Sequence, residues 1–313
     1  MEKDLQVAEN KSQIHVTPEE CGQKLLKFLQ KRFGFPESLL HRWIRTGQIR
    51  VNGCRIKPFA RLNENDLIRV PPFKTSEDKK ARQDKAYSEK KDSIPSSLNI
   101  LEEWNEVLFI NKPAGLAVHG GTGQKDSVNS RLAEIYKDSS FKPVAAHRLD
   151  LGTSGVLLAG LTWRALQDLQ KNFASRSIKK EYLAWVHNQW NYPNRLELKH
   201  FLAREKKDGF EKTCVYPEYV NNSLEAYAVA RCLFKNDNFS LLHLDLHTGI
   251  KHQLRAQLAY LGHPIVGDNK YGIDKNFPML LHSFRISLPD NHKVTALPDW
   301  EDRFTVFEKL SSL

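Results

Sequence analysis

The 313-residue sequence predicts an α+β protein of two domains, a small basic one followed by a larger one. Three features of the chain lead there. Segments with the 3.6-residue apolar period of helices are interleaved with segments that alternate as strands do. A stretch with almost nothing apolar to bury divides the chain, and 40% hydrophobic residues supply enough surface for a sizeable core. The net charge of +10 favours a polyanionic partner. Cys21, Cys54, Cys214 and Cys232 contain no CxxC pair, which argues against a zinc site and a secreted disulfide framework and for a reducing compartment. Met1-Glu2-Lys3-Asp4 leads into no signal-like apolar core, and no stretch reaches the ~18 apolar residues of a membrane span. The expectation is therefore a cytoplasmic protein with no membrane partner.

The first domain, expected over 14–72, reads as two helices and a hairpin. Leu25, Leu26, Leu29 and Phe33 form one helical stripe; Pro36 opens a second helix carrying Leu39, Leu40, Trp43 and Ile44, with Gly47 at the expected C-cap. Ile49 and Val51 alternate into Asn52-Gly53, a type I′ turn signal, with Ile56 on the return strand. From Arg42 to Arg61 the charged residues are Arg42, Arg45, Arg50, Arg55, Lys57 and Arg61, with no acid among them. A solvated face normally mixes signs, so this set is a candidate for contact with phosphate.

Lys74 to Asp92 holds seven basic and five acidic residues. Such a segment cannot offset its ordering entropy by burial, and a linker is expected over 73–97.

The larger domain is expected over 98–313. Val107-Leu108-Phe109-Ile110 reads as a buried strand, after which Asn111-Lys112-Pro113-Ala114-Gly115 turns the chain; a structural role in that turn is the default for Lys112. Gly120-Gly121-Thr122-Gly123-Gln124-Lys125 lacks the Walker spacing of a phosphate loop. His147-Arg148-Leu149-Asp150 then places a lone carboxylate in a glycine-bounded loop leading into the apolar run Val156-Leu157-Leu158-Ala159, which fits an acid fixed by scaffold yet facing a cleft. The plain alternative is an Asx turn in which Asp150 accepts from the amides of Thr153 and Ser154. Gly152-Thr153-Ser154-Gly155-Val156 lacks the last glycine of a serine-hydrolase elbow.

Leu166, Leu169, Gln170 and Phe173 recur at helical spacing, and Lys179 to Val186 returns to strand chemistry with Tyr182 near its start. Leu242, Leu244 and Leu246 alternate with His243, Asp245 and His247, so the polar side of this strand is expected to be exposed; a metal site there is disfavoured because no other ligand cluster lies near in sequence. Thr248-Gly249-Ile250-Lys251-His252-Gln253-Leu254-Arg255 leads into a helix with Leu254, Leu258 and Leu261 on one side, ended by Gly262.

Taken together, HRLDxxTSGVLL at 147–158, Lys-Lys-Glu-Tyr-Leu-Ala at 179–184 and the string from Thr248 through Gly267-Asp268 and Tyr271-Gly272 resemble the three motifs of the RluA/RluC/RluD family of RNA pseudouridine synthases. Lys112-Pro113-x-Gly115 resembles that family's first turn, and Ala117 to Gly123 is most similar to its RluC branch. Arg45 to Gly53 resembles an S4 RNA-binding domain. The resemblance implies a catalytic domain built on a mixed, mainly antiparallel sheet with flanking helices. It implies Asp150, Tyr182 and Arg255 as catalytic residues, Arg148 filling the space left by a flipped uridine, and Arg42, Arg45, Arg50, Arg55 and Lys57 gripping RNA. The expected substrate is 23S ribosomal RNA, acted on by a monomer without cofactor or metal. One departure is Ile250, where the family usually has an arginine; it puts an RNA contact in question. Transfer RNA as substrate, a catalytically silent RNA-binding or ribosome-assembly factor, and a hydrolase using Asp150 as base remain open readings, the last without a clear second carboxylate at the motif.

Overall fold

In the computed structural model the described residues are 13–35, 37–71, 97–120, 126–207, 210–273 and 277–310. The charged stretch from Lys74 to Asp92 lies outside them, as do Pro36 and residues 121–125 of the glycine-rich loop.

The N-terminal helices form where the apolar period indicates. α1 (Leu25–Phe33) buries Leu25, Leu26 and Leu29, and α2 (Glu37–Arg45) buries Leu40 and Ile44. Gly34, at φ 67°, caps α1. Three short strands, β1 (Gln13–His15), β2 (Arg50–Val51) and β3 (Leu67–Arg69), pair antiparallel in the order β1-β3-β2. Asn52 and Gly53 have φ of 49° and 77°, the signs a type I′ turn requires. The return strand differs from the expectation. Pairing across the turn stops at Cys54, and β2 takes β3 as its partner, Val51 standing opposite Ile68. Asn52 accounts for this, because its side chain accepts from Leu67 N (2.8 Å) and donates to Asp66 Oδ1 (2.7 Å), fastening the turn to β3. Ile56 instead packs, half-buried, against the small core.

The rest of the described chain is built on one 11-stranded sheet. Its strands are β4 (Asn99–Trp104), β5 (Val107–Lys112), β6 (Val144–Ala145), β7 (Ser154–Gly160), β8 (Lys179–His187), β9 (Arg195–Lys207), β10 (Phe210–Tyr216), β11 (Leu224–Lys235), β12 (Phe239–Leu246), β13 (Leu281–Ser287) and β14 (Lys293–Thr295). The order is β10-β9-β11-β12-β8-β13-β7-β5-β4, with β6 on β7 and β14 on β13. Every pairing is antiparallel except that of β13 with β7. Helices α3 (Val128–Ile135), α4 (Trp163–Ala174) and α5 (Gln253–Tyr260) accompany the sheet, so the fold is α+β with a mixed, mainly antiparallel sheet. The N-terminal unit touches this larger one where Lys31 Nζ lies over the rings of Trp163 (5.0 Å) and Phe141 (5.2 Å).

β13 is the seam between two half-sheets, with β4 to β7 on one side and β8 to β12 on the other. In register, Ser283 stands opposite both Gly155 on β7 and Tyr182 on β8. The seam demands glycine at 155, where φ is 104° and a Cβ would stand 2.3 Å from Ser283 O. This close approach brings the loop ahead of β7, which carries Asp150, alongside the strand that carries Tyr182.

Two local readings are corrected. In α4, Leu166 and Leu169 are buried but Gln170 faces solvent. On β12 the polar side is only partly open: His243 is 1% exposed, its ring between Glu181 on β8 and Arg231 on β11, whereas Asp245 is half-buried and His247 exposed.

Candidate active site

The turn holding Asp150 is closed by its backbone, Thr153 N donating to Asp150 O at 3.1 Å, so the side chain is not spent on an Asx turn. Beneath this loop lies Lys112, whose Nζ is buried and donates to the carbonyls of Leu116 (2.8 Å), Pro113 (2.9 Å) and Leu151 (3.3 Å). One ammonium thus ties the Lys-Pro-x-Gly turn to the residue after Asp150, and burial lowers its pKa to about 8.

The carboxylate of Asp150 points to the other half-sheet. Arg255 NH1 donates to its Oδ2 at 2.9 Å, and His252 Nε2 stands 3.8 Å from its Oδ1. Arg255, on the first turn of α5, is oriented from behind by Asp268: Nε donates to Oδ2 (2.8 Å) and NH2 to Oδ1 (2.7 Å). Asp268 has a fully buried side chain and also accepts from the backbone amides of Lys270 (2.8 Å) and Tyr271 (3.1 Å). Burial opposes the charge on both members of this pair, but their mutual bonds outweigh it, raising the pKa of Arg255 and lowering that of Asp268. The guanidinium is therefore a fixed, permanently charged partner for Asp150.

The third sequence candidate joins the same cavity, of about 470 Å³. Tyr182 is 7% exposed and bonds through its hydroxyl to Ser283 on the seam strand. Burial raises its pKa well above the ordinary value, with Asp150 adding to the rise, so the hydroxyl stays protonated. Arg148 is exposed at the mouth of this cavity, and Ile250 lines it. Among the described residues lining the cavity, Asp150 is the sole carboxylate, against six cationic side chains: Arg148, Arg176, Lys180, Arg204, Lys251 and Arg255.

The basic set of the N-terminal unit is divided. Arg42, Arg45, Arg55 and Lys57 line a second concavity of about 1010 Å³ between α2 and the segment after Cys54. Arg50 turns away from it, donating to the carbonyls of Gly47 (3.4 Å) and Gly53 (3.1 Å), and Arg61 donates to Gly22 O (2.8 Å).

Sequence reasoning missed Asp268, His252 and Tyr271. All three lie in the string from Thr248 to Gly272 that carries the third motif resemblance, but no local pattern there assigns them a role. In the structure Tyr271 OH accepts from Thr213 N (3.0 Å) and lies 3.2 Å from His252 Nδ1, which places the imidazole beside Asp150. Glu181 was missed as the partner of His243, whose Nε2 lies 2.8 Å from its Oε2. Glu181, His243 and Asp245 have the spacing of a cation site, yet Arg285 (3.3 Å from Glu181) and Arg231 (3.0 Å from Asp245) already provide the positive charge. That donor set fits an internal ionic network rather than a metal.

The comparisons with known proteins agree with this geometry. The family described as RNA pseudouridylate synthase matches residues 106–260, the segment that contains Asp150, Tyr182 and Arg255. Ribosomal large subunit pseudouridine synthase C of Pasteurella multocida is 34% identical over 285 residues, covering 87% of this chain and 84% of that protein. The chain belongs to the RNA pseudouridylate synthase family. The synthase C of Escherichia coli is 33% identical over 266 residues, covering 84% of this chain and 80% of its own length. Among solved structures, human RNA pseudouridylate synthase domain containing 1 superposes with a TM-score of 0.55 at 25% identity, over 70% of this chain and 88% of that one. Membership of the synthase family makes the chain an isomerase in class and accounts for the three sequence motifs that converge on one cavity.

Proposed function

We propose that this protein converts uridine to pseudouridine in the ribosomal RNA of the large subunit, using Asp150, Tyr182 and Arg255. One observation carries the reading: a cavity of nucleoside scale holds a single carboxylate, clamped by a guanidinium and facing a buried tyrosine, within a rim of cations. In the reaction the N1–C1′ bond breaks, the uracil turns and a C1′–C5 bond forms; the C5 proton is lost and N1 regains one, so nothing is exchanged overall. No cofactor is required by that balance. Asp150 supplies the anion needed at the anomeric carbon, as nucleophile or as a stabiliser of positive charge. Arg255, held by Asp268, keeps that anion aimed. Tyr182 offers its ring to the uracil. Arg148, exposed at the mouth, takes the place the base leaves when it is extruded, a step that costs a few kcal/mol and is least costly in unpaired RNA.

The ribosomal assignment rests on what the curated relatives are named for, the large ribosomal subunit. We assign residues 14–72 as an S4-like domain that adds affinity, joined through 73–97 to a catalytic domain over 98–313, in a cytoplasmic monomer. The separate hydrophobic core of the N-terminal unit and the cationic concavity on α2 support the division into domains and the added affinity. The deciding experiment is pseudouridine mapping of total RNA, ribosomal and transfer RNA included, from cells with and without the protein. Loss of specific 23S sites is expected; losses confined to transfer RNA would overturn the ribosomal assignment, and no loss in any RNA would overturn the enzymatic one.

A further inference from the structure

Lys180 stands at the start of β8, two residues before Tyr182, so the two side chains leave the same face of the strand about 6.6 Å apart. Both line the Asp150 cavity. Lys180 reaches across toward the turn after β12: a Cβ on Gly249 would stand 3.6 Å from its Nζ. The ammonium is half-buried, yet among the described residues no carboxylate, carbonyl or hydroxyl bonds to it. Its charged neighbour is Arg176, also a cation and also without a side-chain partner among the described residues. Arg176 is held in the left-handed region, at φ 60°, by the turn that joins α4 to β8. Such a conformation is unfavourable for a non-glycine residue, and it persists where the surrounding structure imposes it.

Two like charges at the wall of a cavity, one of them partly desolvated, are an unfavourable arrangement in the empty protein. Burial lowers the pKa of Lys180, and Arg176 lowers it further. His147 next to it cannot relieve the need for an anion and adds no charge of its own, because its Nε2 accepts from Leu158 N (3.0 Å) and the ring is neutral. Two other cations of the cavity are already engaged, Arg255 by two carboxylates and Lys251 by Glu211 at 2.6 Å. Lys180 and Arg176 therefore form an anion subsite that the protein itself leaves unfilled.

We infer that Lys180, assisted by Arg176, binds the phosphodiester attached to the target uridine, one strand repeat from the tyrosine that receives its base. The inference rests on reading the cavity as the uridine site. Its role is to fix the nucleotide's backbone while the base turns, so that the sugar stays over Asp150 when it is no longer joined to uracil.

The test uses the full chain and a transcribed fragment of 23S ribosomal RNA that the parent modifies. Lys180→Gln is expected to weaken RNA binding about tenfold, the effect of removing one charge-assisted hydrogen bond. The log–log salt slope should become shallower by about 0.7, the amount set by one phosphate of unpaired RNA that is no longer neutralised. Lys180→Arg should restore the slope, and Arg176→Gln should give a smaller change in the same direction. A Lys180→Gln variant that is folded by circular dichroism but keeps the parent slope and affinity overturns the inference, as does a Lys180→Arg variant with the slope of Lys180→Gln. A parent that forms no pseudouridine on any fragment defeats the functional reading instead, a result separable from either.

Discussion

Asp268 grips Arg255 through two parallel hydrogen bonds, and Arg255 has one nitrogen left for Asp150. The anion at the centre of the cavity is thus positioned by a second anion that never meets solvent. Asp268→Ala would leave a buried guanidinium with a single counter-charge. Loss of one partner of a buried pair costs about 3–5 kcal/mol, and the lower end is expected because Asp150 remains. Turnover should fall at least tenfold, since the guanidinium loses its orientation. Urea unfolding and single-turnover pseudouridine formation, measured together, check both effects.

Asp150→Asn keeps the size of the side chain and removes its charge. Turnover should drop below detection while RNA affinity stays within about twofold of the parent. Arg255→Ala should be nearly as damaging. A filter-binding titration beside the turnover assay separates chemistry from binding, and substantial product from Asp150→Asn would sink the proposed mechanism.

Tyr182→Phe retains the ring and loses only the bond to Ser283, so it should hurt far less than Tyr182→Ala, which opens a cavity in a buried site. Because burial holds the hydroxyl protonated, the pH–rate profile of the parent should show no loss attributable to Tyr182 up to pH 10. A limb between pH 8 and 10 that vanishes in Tyr182→Phe would contradict this.

These residues differ in how far the sequence exposes them. The strand around Tyr182, the turn before Asp150 and the helix carrying Arg255 follow from alternation, glycine and apolar period, all of which are local. Motif resemblance supplies the roles. What remained illegible is non-local: that β13 lies between β7 and β8, that Asp268 folds back onto Arg255, and that His243 is enclosed by neighbours on β8 and β11. The face of a strand is set by its own alternation, but whether that face is wet depends on elements distant in sequence. Asn52-Gly53 shows the same limit, since its turn type was legible and its strand partner was not.

Lys112 makes stability depend on pH in a defined direction. Its pKa is about 8 when folded against an ordinary value of 10.5, so between those values the unfolded chain binds the extra proton. Stability from this group therefore rises as pH increases from about 8 to 10.5 and is lowest where the buried amine is charged. The difference in urea midpoint between the parent and Lys112→Met should shift in the parent's favour over that range. Equal pH dependence in the two proteins would show that the amine keeps an ordinary pKa.

The N-terminal concavity should act through affinity alone. Neutralising Arg42, Arg45 and Arg55 together removes three cations that line it, and the log–log salt slope should become shallower by about 2 if each meets a phosphate of unpaired RNA. Arg50→Gln, whose guanidinium is occupied by backbone carbonyls, should change the slope much less. Binding titrations at several salt concentrations check both, and an unchanged slope in the triple variant would mean that this face is merely solvated.

A ribosome that released this chain just before Leu281 would have made every residue named for catalysis and still no enzyme. Asp150 belongs to one half-sheet and Tyr182 with Arg255 to the other, and the strand that sews them together follows all three in the chain. The cavity is therefore assembled all at once, when β13 docks between β7 and β8, and not residue by residue as its side chains fold.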